Sequence, residues 1–267
     1  MSCQSWFYRP SKDRFMDPRV LGLDFSPVSF RVPWDDQLHG WLLHSKQKSE
    51  RNPAQGTVLY FHDASKNITH HFRQVTWLTE NNFDVYLFDY PGFGKSTGKF
   101  DGGEASEHIK RAIRYARYRA SGKFVLLCQS TGGLFCAKAV GELSPKEQKQ
   151  IDTLVLDNAY ASYRELMKYY LSQNWWSKWT QFMVPLFLSD SDSAVEQISK
   201  IRIPTIVIHA KNNRSVPYSL GYWIYDNLNT KKYLWKAQKV GHLESFQYKG
   251  QQEFFLSVLF NQKKYLK

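Results

Sequence analysis

Cysteine is scarce in this chain: 267 residues include three, Cys3, Cys128 and Cys136. An odd and small count excludes a disulfide framework of the secreted mini-protein kind, and no pairing is legible from the spacing. Long apolar runs are missing too. None reaches the roughly 18 residues that a membrane-spanning helix requires. Only Met1 and Ser2 precede Cys3, so no signal segment is legible, which leaves a cytoplasmic protein or one whose signal has been removed. Metal-ligand spacing is lacking: His70, His71 and His108 fall in helical stretches, and His39 and His44 in a hairpin. Gly92-x-Gly94 before Lys95-Ser96 lacks the spacing of a phosphate loop. No zinc-finger spacing, RNA-binding signature or basic heptad speaks for a nucleic-acid partner. There is no internal repeat and no low-complexity segment.

The composition supplies a large core, with 42% hydrophobic and 16% aromatic residues. The length suits one α/β domain with an insertion. The 36 Lys and Arg outnumber the 24 Asp and Glu, for a formal charge of +12. The lysines are scattered, as on a basic solvated surface; anionic membranes and acidic ligands are the alternative partners.

Residues 28–33 and 38–44 flank Trp34-Asp35-Asp36-Gln37 and predict a hairpin at a sheet edge. Further strands are predicted over 57–62, 83–89, 124–129, 153–157, 205–209 and 233–237. Helices are predicted through Phe72–Leu78 and over 104–120, 217–228 and 250–262. Strands alternating with helices imply a mostly parallel sheet covered on both faces. Between Asn158 and Ser199 the alternation breaks for an aromatic-rich insertion holding Tyr160, Tyr163, Trp175, Trp176, Trp179, Phe182 and Phe187. It reads as a small helical cap lining an apolar pocket, or as helices that simply cover the sheet.

The run Phe124-Val125-Leu126-Leu127-Cys128-Gln129 passes through Ser130 into Thr131-Gly132-Gly133-Leu134. A strand that turns sharply into a helix can expose a serine hydroxyl above the sheet, with backbone N–H groups aimed where an oxyanion would form. Ser130 is the candidate nucleophile, although Cys128 stands where G-x-S-x-G has its first glycine. Ligands of open α/β sheets bind beyond the carboxyl ends of the strands. There the chain places His62-Asp63-Ala64, Asp89-Tyr90-Pro91-Gly92, Asp157, Ala210–Arg214 and His242.

From about Val28 to Phe254 the chain resembles the α/β-hydrolase family, within it the compact serine hydrolases with a short cap. The resemblance rests on Phe61-His62-Asp63-Ala64, Asp89-Tyr90-Pro91-Gly92-Phe93-Gly94-Lys95-Ser96, the Ser130 turn, Ile203–His209 leading to Val216-Pro217, and Gly241-His242, in that order. It implies an α/β-hydrolase fold with a sheet of about eight strands, Ser130 as nucleophile and His242 as general base. It also implies an oxyanion hole from the Ala64 and Thr131 N–H groups, His62 as a structural loop residue, and no cofactor or metal. The family's glycine after that histidine is Asp63 here. The family's acid falls on Asn213, and an amide cannot stabilise an imidazolium. Asp157, at the end of the next strand, is the substitute acid in this reading. A second resemblance, of Cys3–Ser11 and Leu21-Gly22-Leu23 to the start of mature bacterial lipoproteins, would make Cys3 a lipidated membrane anchor.

Together these residues predict an N-terminal arm over 1–27 and a hydrolase domain over 28–267 with its insertion near 158–199. The expected reaction is hydrolysis of a carboxylic ester or thioester with an apolar acyl group through a Ser130 acyl-enzyme. Two alternatives stand beside it. One is a peptidase or amidase of the same fold; the other is a catalytically weak domain that binds lipid or protein, with peripheral membrane association.

Overall fold

The computed structural model describes residues 8–33, 36–49 and 53–267. Its strands are β1 (Arg9–Pro10), β2 (Phe25–Arg31), β3 (Gln37–Leu43), β4 (Gly56–Phe61), β5 (Ser65–Lys66), β6 (Phe83–Phe88), β7 (Lys123–Gln129), β8 (Thr153–Asp157), β9 (Thr205–Ala210) and β10 (Lys232–Ala237). Strands β4, β6, β8 and β9 are buried along their whole length. That explains why they are apolar without alternation: each face is covered. Leu59, Phe61, Leu126, Cys128 and Leu156 pack with the helices Ala105–Arg119 and Thr131–Glu142. Val58, Tyr60, Val125, Leu127 and Val155 turn to the opposite face, against Phe255, Val258 and Leu259 of the helix Lys249–Phe260.

Among the described residues eight strands form the main sheet, in the order β10-β9-β8-β7-β4-β6-β3-β2. Strand β3 is antiparallel to both its neighbours and the other pairs are parallel, so the sheet is mostly parallel as the sequence implies. The first hairpin strand begins at Phe25 rather than near 28, and Trp34 and Asp35 of its turn lie outside the described residues, as does Cys3. A two-stranded ladder was not legible: Arg9 pairs with Ser65 and Pro10 with Lys66, tying the N-terminal segment to the loop after β4.

After β4 the chain forms β6 on one side and then crosses to β7 on the other. The crevice at this reversal, above the carboxyl ends of β4 and β7, is where such sheets receive ligands. It holds His62-Asp63-Ala64 and Ser130.

The insertion between β8 and β9 carries the helix Tyr163–Ser172, a tighter helical turn over Lys178–Met183, and short helices Val184–Phe187 and Val195–Ile198. Ser162 starts the first of these by accepting the N–H groups of Arg164 and Glu165 on its side chain. Tyr160, Tyr163, Leu166 and Val184 are buried, whereas Trp175, Trp176, Trp179, Phe182 and Phe187 face outward. Most of the insertion's aromatic residues therefore form surface instead of lining a pocket.

Candidate active site

Ser130 has φ 53° and ψ −121°, left-handed backbone that a residue with a Cβ adopts only when its surroundings enforce it. The enforcement is steric. A Cβ on Gly132 would lie 2.5 Å from the His62 carbonyl oxygen, and one on Gly133 would lie 2.4 Å from the Ala159 Cβ. Two glycines thus let the helix Thr131–Glu142 close over the strand ends and force the sharp turn at Ser130. The Ser130 N–H donates to the Asp157 carbonyl at 2.9 Å, which fixes the turn to β8.

Cys128, in place of the usual first glycine, is accommodated by a bond. It forms a disulfide with Cys136 across a Cα–Cα distance of 6.4 Å. The spacing alone hid this pairing: Cys128 faces the layer covered by the helix after the turn, and Cys136 lies on that helix's buried side. The bridge clips strand to helix around Ser130.

Thr131 opens the helix, so its N–H has no intrahelical carbonyl to meet. Its hydroxyl is 2.9 Å from the Tyr160 hydroxyl at the base of the insertion. On the facing loop, the Tyr90 hydroxyl donates to the His62 carbonyl at 2.8 Å, and His62 Nδ1 donates to the Asp63 carbonyl at 2.6 Å. The buried His62 ring stacks on His71, and burial holds its pKa well below the ordinary value. His62 shapes the loop that carries Ala64.

The loop after β9 is built on two side chains. His209 Nε2 donates to the Val216 carbonyl at 3.0 Å. Asn213 Oδ1 accepts the N–H groups of Ser215 and Val216, both at 2.9 Å. Those two donors fix which end of the Asn213 amide is oxygen. Its Nδ2 therefore points the other way, 2.9 Å from His242 Nδ1 and 2.8 Å from Asn158 Oδ1. The Asn158 amide is oriented in turn: its Oδ1 also accepts the Ala210 N–H at 3.0 Å, while its Nδ2 donates to Asp157 Oδ1 at 2.7 Å. With an amide donor against Nδ1, a neutral His242 accepts on that nitrogen and carries its proton on Nε2.

Asp157 is not hydrogen-bonded to His242. Its carboxylate is fully buried and accepts from Gln129 at 2.7 Å, from Asn158 at 2.7 Å and from Ser245 at 2.6 Å. Burial pushes this carboxyl up to about 6 despite the three donors. Asp157 reaches the imidazole only through Asn158 and Asn213. The reason is positional: Asp157 still belongs to β8 and turns into the sheet end beside Gln129, while Asn213 projects from the loop that faces His242. Burial lowers the His242 pKa, and the Asp63 carboxylate opposes that shift. Sequence reasoning passed over Asn158, Gln129 and Ser245. Asn158 had one legible sign, since Asn tolerates the left-handed backbone it adopts at φ 51°; Ser245 had none.

An eight-stranded, mostly parallel sheet with a strained serine turn at the reversal of strand order defines an α/β hydrolase. The family model described as "Serine aminopeptidase, S33" matches residues 52–191, just over half of the chain, and the chain belongs to this hydrolase family. Among proteins similar in sequence is the uncharacterized protein YfhR of Escherichia coli K12, 27% identical over 252 residues that cover 91% of this chain and 81% of that protein. The protein bem46 of Schizosaccharomyces pombe is 23% identical over 218 residues, 80% of this chain and 69% of that one. Of solved structures, the esterase Pf2001 of Pyrococcus furiosus superposes with a TM-score of 0.70 at 18% identity, covering 98% of this chain and 99% of that one.

Proposed function

We propose that the chain is a serine esterase or thioesterase, acting through a Ser130 acyl-enzyme, with His242 as a weakened general base. The observation that carries this reading is the left-handed Ser130 between two close-packed loops, in a hydrolase family whose structural neighbours include an esterase. Ser130 Oγ attacks the acyl carbon and its proton passes to His242. The N–H groups of Ala64 and Thr131 receive the oxyanion, and the alcohol or thiol leaves with the proton returned by His242. Water repeats the sequence to release the acid.

The weakness lies in Asn213. A neutral ring protonated on Nε2 must first shift that proton to Nδ1, against the Asn213 amide, before it can take the Ser130 proton, and an amide does not stabilise the imidazolium that acylation creates. A comparable Asp-to-Asn change in a serine protease lowers turnover by about 10⁴. This supports esters and thioesters over amides, because their leaving groups depart with less help from a proton donor. It also keeps a second reading in view, a binding domain with vestigial turnover.

A fluorophosphonate probe separates the two. Modification of Ser130, lost in Ser130→Ala, together with hydrolysis of p-nitrophenyl esters but not p-nitroanilides, is the expected result. An unlabelled Ser130 in folded protein would leave the binding domain.

A further inference from the structure

Residues 166–189 hold no aspartate or glutamate and two lysines, Lys168 and Lys178. In the middle of that stretch Trp175, Trp176, Trp179, Phe182, Leu186 and Phe187 are between 60% and 81% exposed. Trp179 and Phe182 lie on the turn Lys178–Met183 and Leu186 on the helix Val184–Phe187, with Trp175 just before them. Single exposed apolar residues are ordinary, but a cluster that includes three tryptophans is a surface with a partner. Val184 and Leu188 face inward and hold the segment to the body.

Two features favour a lipid surface as the partner. The exposed segment satisfies its own polar groups: Ser177 Oγ donates to the Leu171 carbonyl at 2.8 Å, Thr180 Oγ1 to the Ser177 carbonyl at 2.7 Å, and the Leu188 N–H to the Val184 carbonyl at 2.9 Å. Polar groups closed in this way let the segment approach the hydrocarbon edge of a bilayer without leaving donors or acceptors unmet. The acids that border the segment are already paired, Glu165 with Lys168 and Asp190 with Arg164, and the charge beside the tryptophans is basic. Lys178 lies 5.4 Å from the Trp179 ring centroid. The Tyr170 hydroxyl donates to the Ser215 carbonyl, joining the insertion to the loop that exposes Lys211 and Arg214, where 205–217 has no acid. Tryptophan with basic residues at its rim is the composition of interfacial segments. No helix among the described residues is long and apolar enough to cross a membrane, so the contact is superficial.

We infer that the outward face of the insertion, led by Trp175, Trp179 and Phe182, docks on an anionic phospholipid bilayer. The aromatic rings enter the headgroup layer, and Lys178, Lys211 and Arg214 meet phosphates. The inference does not depend on turnover at Ser130. It brings the bilayer to the loop that holds Asn213 against His242.

The test is flotation of the full chain, as Cys3→Ser to remove any lipid anchor, with phosphatidylcholine vesicles and with vesicles one-third phosphatidylglycerol. Binding to the anionic vesicles is expected, with a blue shift of tryptophan emission and weakening by salt. Trp175→Ala/Trp179→Ala/Phe182→Ala should abolish it at an unchanged melting temperature, and Lys178→Gln should weaken it about fivefold. Failure to bind either vesicle overturns the inference, as does undiminished binding by the triple variant. A concentration-dependent dimer that the triple variant dissolves, without vesicle binding, would assign the face to a second copy of the chain.

Discussion

The Asn213 amide nitrogen lies 2.9 Å from His242 Nδ1, at the place where this fold's histidine ordinarily meets a carboxylate. The contact is not a chance orientation, because two backbone N–H groups hold the Asn213 oxygen away from the ring. An imidazole whose Nδ1 faces a donor is a poorer base than one whose Nδ1 faces a carboxylate.

Replacing that donor should restore strength. Asn213→Asp is expected to raise kcat/KM for p-nitrophenyl esters about tenfold or more, with about 10⁴ as the ceiling. The same change sets a carboxylate oxygen against Asn158 Oδ1, now 2.8 Å from the Asn213 nitrogen. It should therefore cost about 1–3 kcal/mol of stability in urea unfolding. Asp157→Asn is expected to change kcat less than Asn213→Asp does, since the carboxylate acts through two amides.

Much of this arrangement was readable from the sequence, and its gaps have physical causes. Buried parallel strands announce themselves as unbroken apolar runs, so β4 and β6 to β9 fell where the chain implied. Neighbouring glycines and chain order singled out Ser130 and His242; the sharp backbone turn at Ser130 was legible in this way, and the catalytic roles of the two residues are proposals. The partner of His242 was not readable, because a hydrogen bond depends on which way a loop side chain points. Asp157 carried the right chemistry, and β8 aims it at Gln129 instead. The aromatic insertion showed its composition but not its direction, since period alone does not say which face meets the body.

The pH dependence follows from His242 and Asp63. Neutral His242 is the form that can serve as base, and burial keeps its pKa below the ordinary 6.5 while Asp63 pulls it partly back. The acid limb of kcat/KM should lie below that value. Asp63→Asn removes the opposing charge, so the limb should move to lower pH. A move to higher pH would contradict the assignment.

The bridge between Cys128 and Cys136 closes a short loop around the serine turn. Chain entropy gives such a loop about 2–3 kcal/mol of stabilisation. Cys128→Ala/Cys136→Ala should lose that much in non-reducing urea titrations, and dithiothreitol should narrow the difference. Of three cysteines, no more than one should titrate as a free thiol after denaturation without reductant.

The tautomer of His242 tests the central claim most directly. In protein labelled with ¹⁵N-histidine, at a pH where the ring is neutral, long-range ¹H–¹⁵N correlations report which nitrogen bears the proton. The Asn213 contact predicts an unprotonated Nδ1 and a protonated Nε2, reversing in Asn213→Asp. A native ring protonated on Nδ1 would contradict the amide's orientation and with it the account of a weakened base.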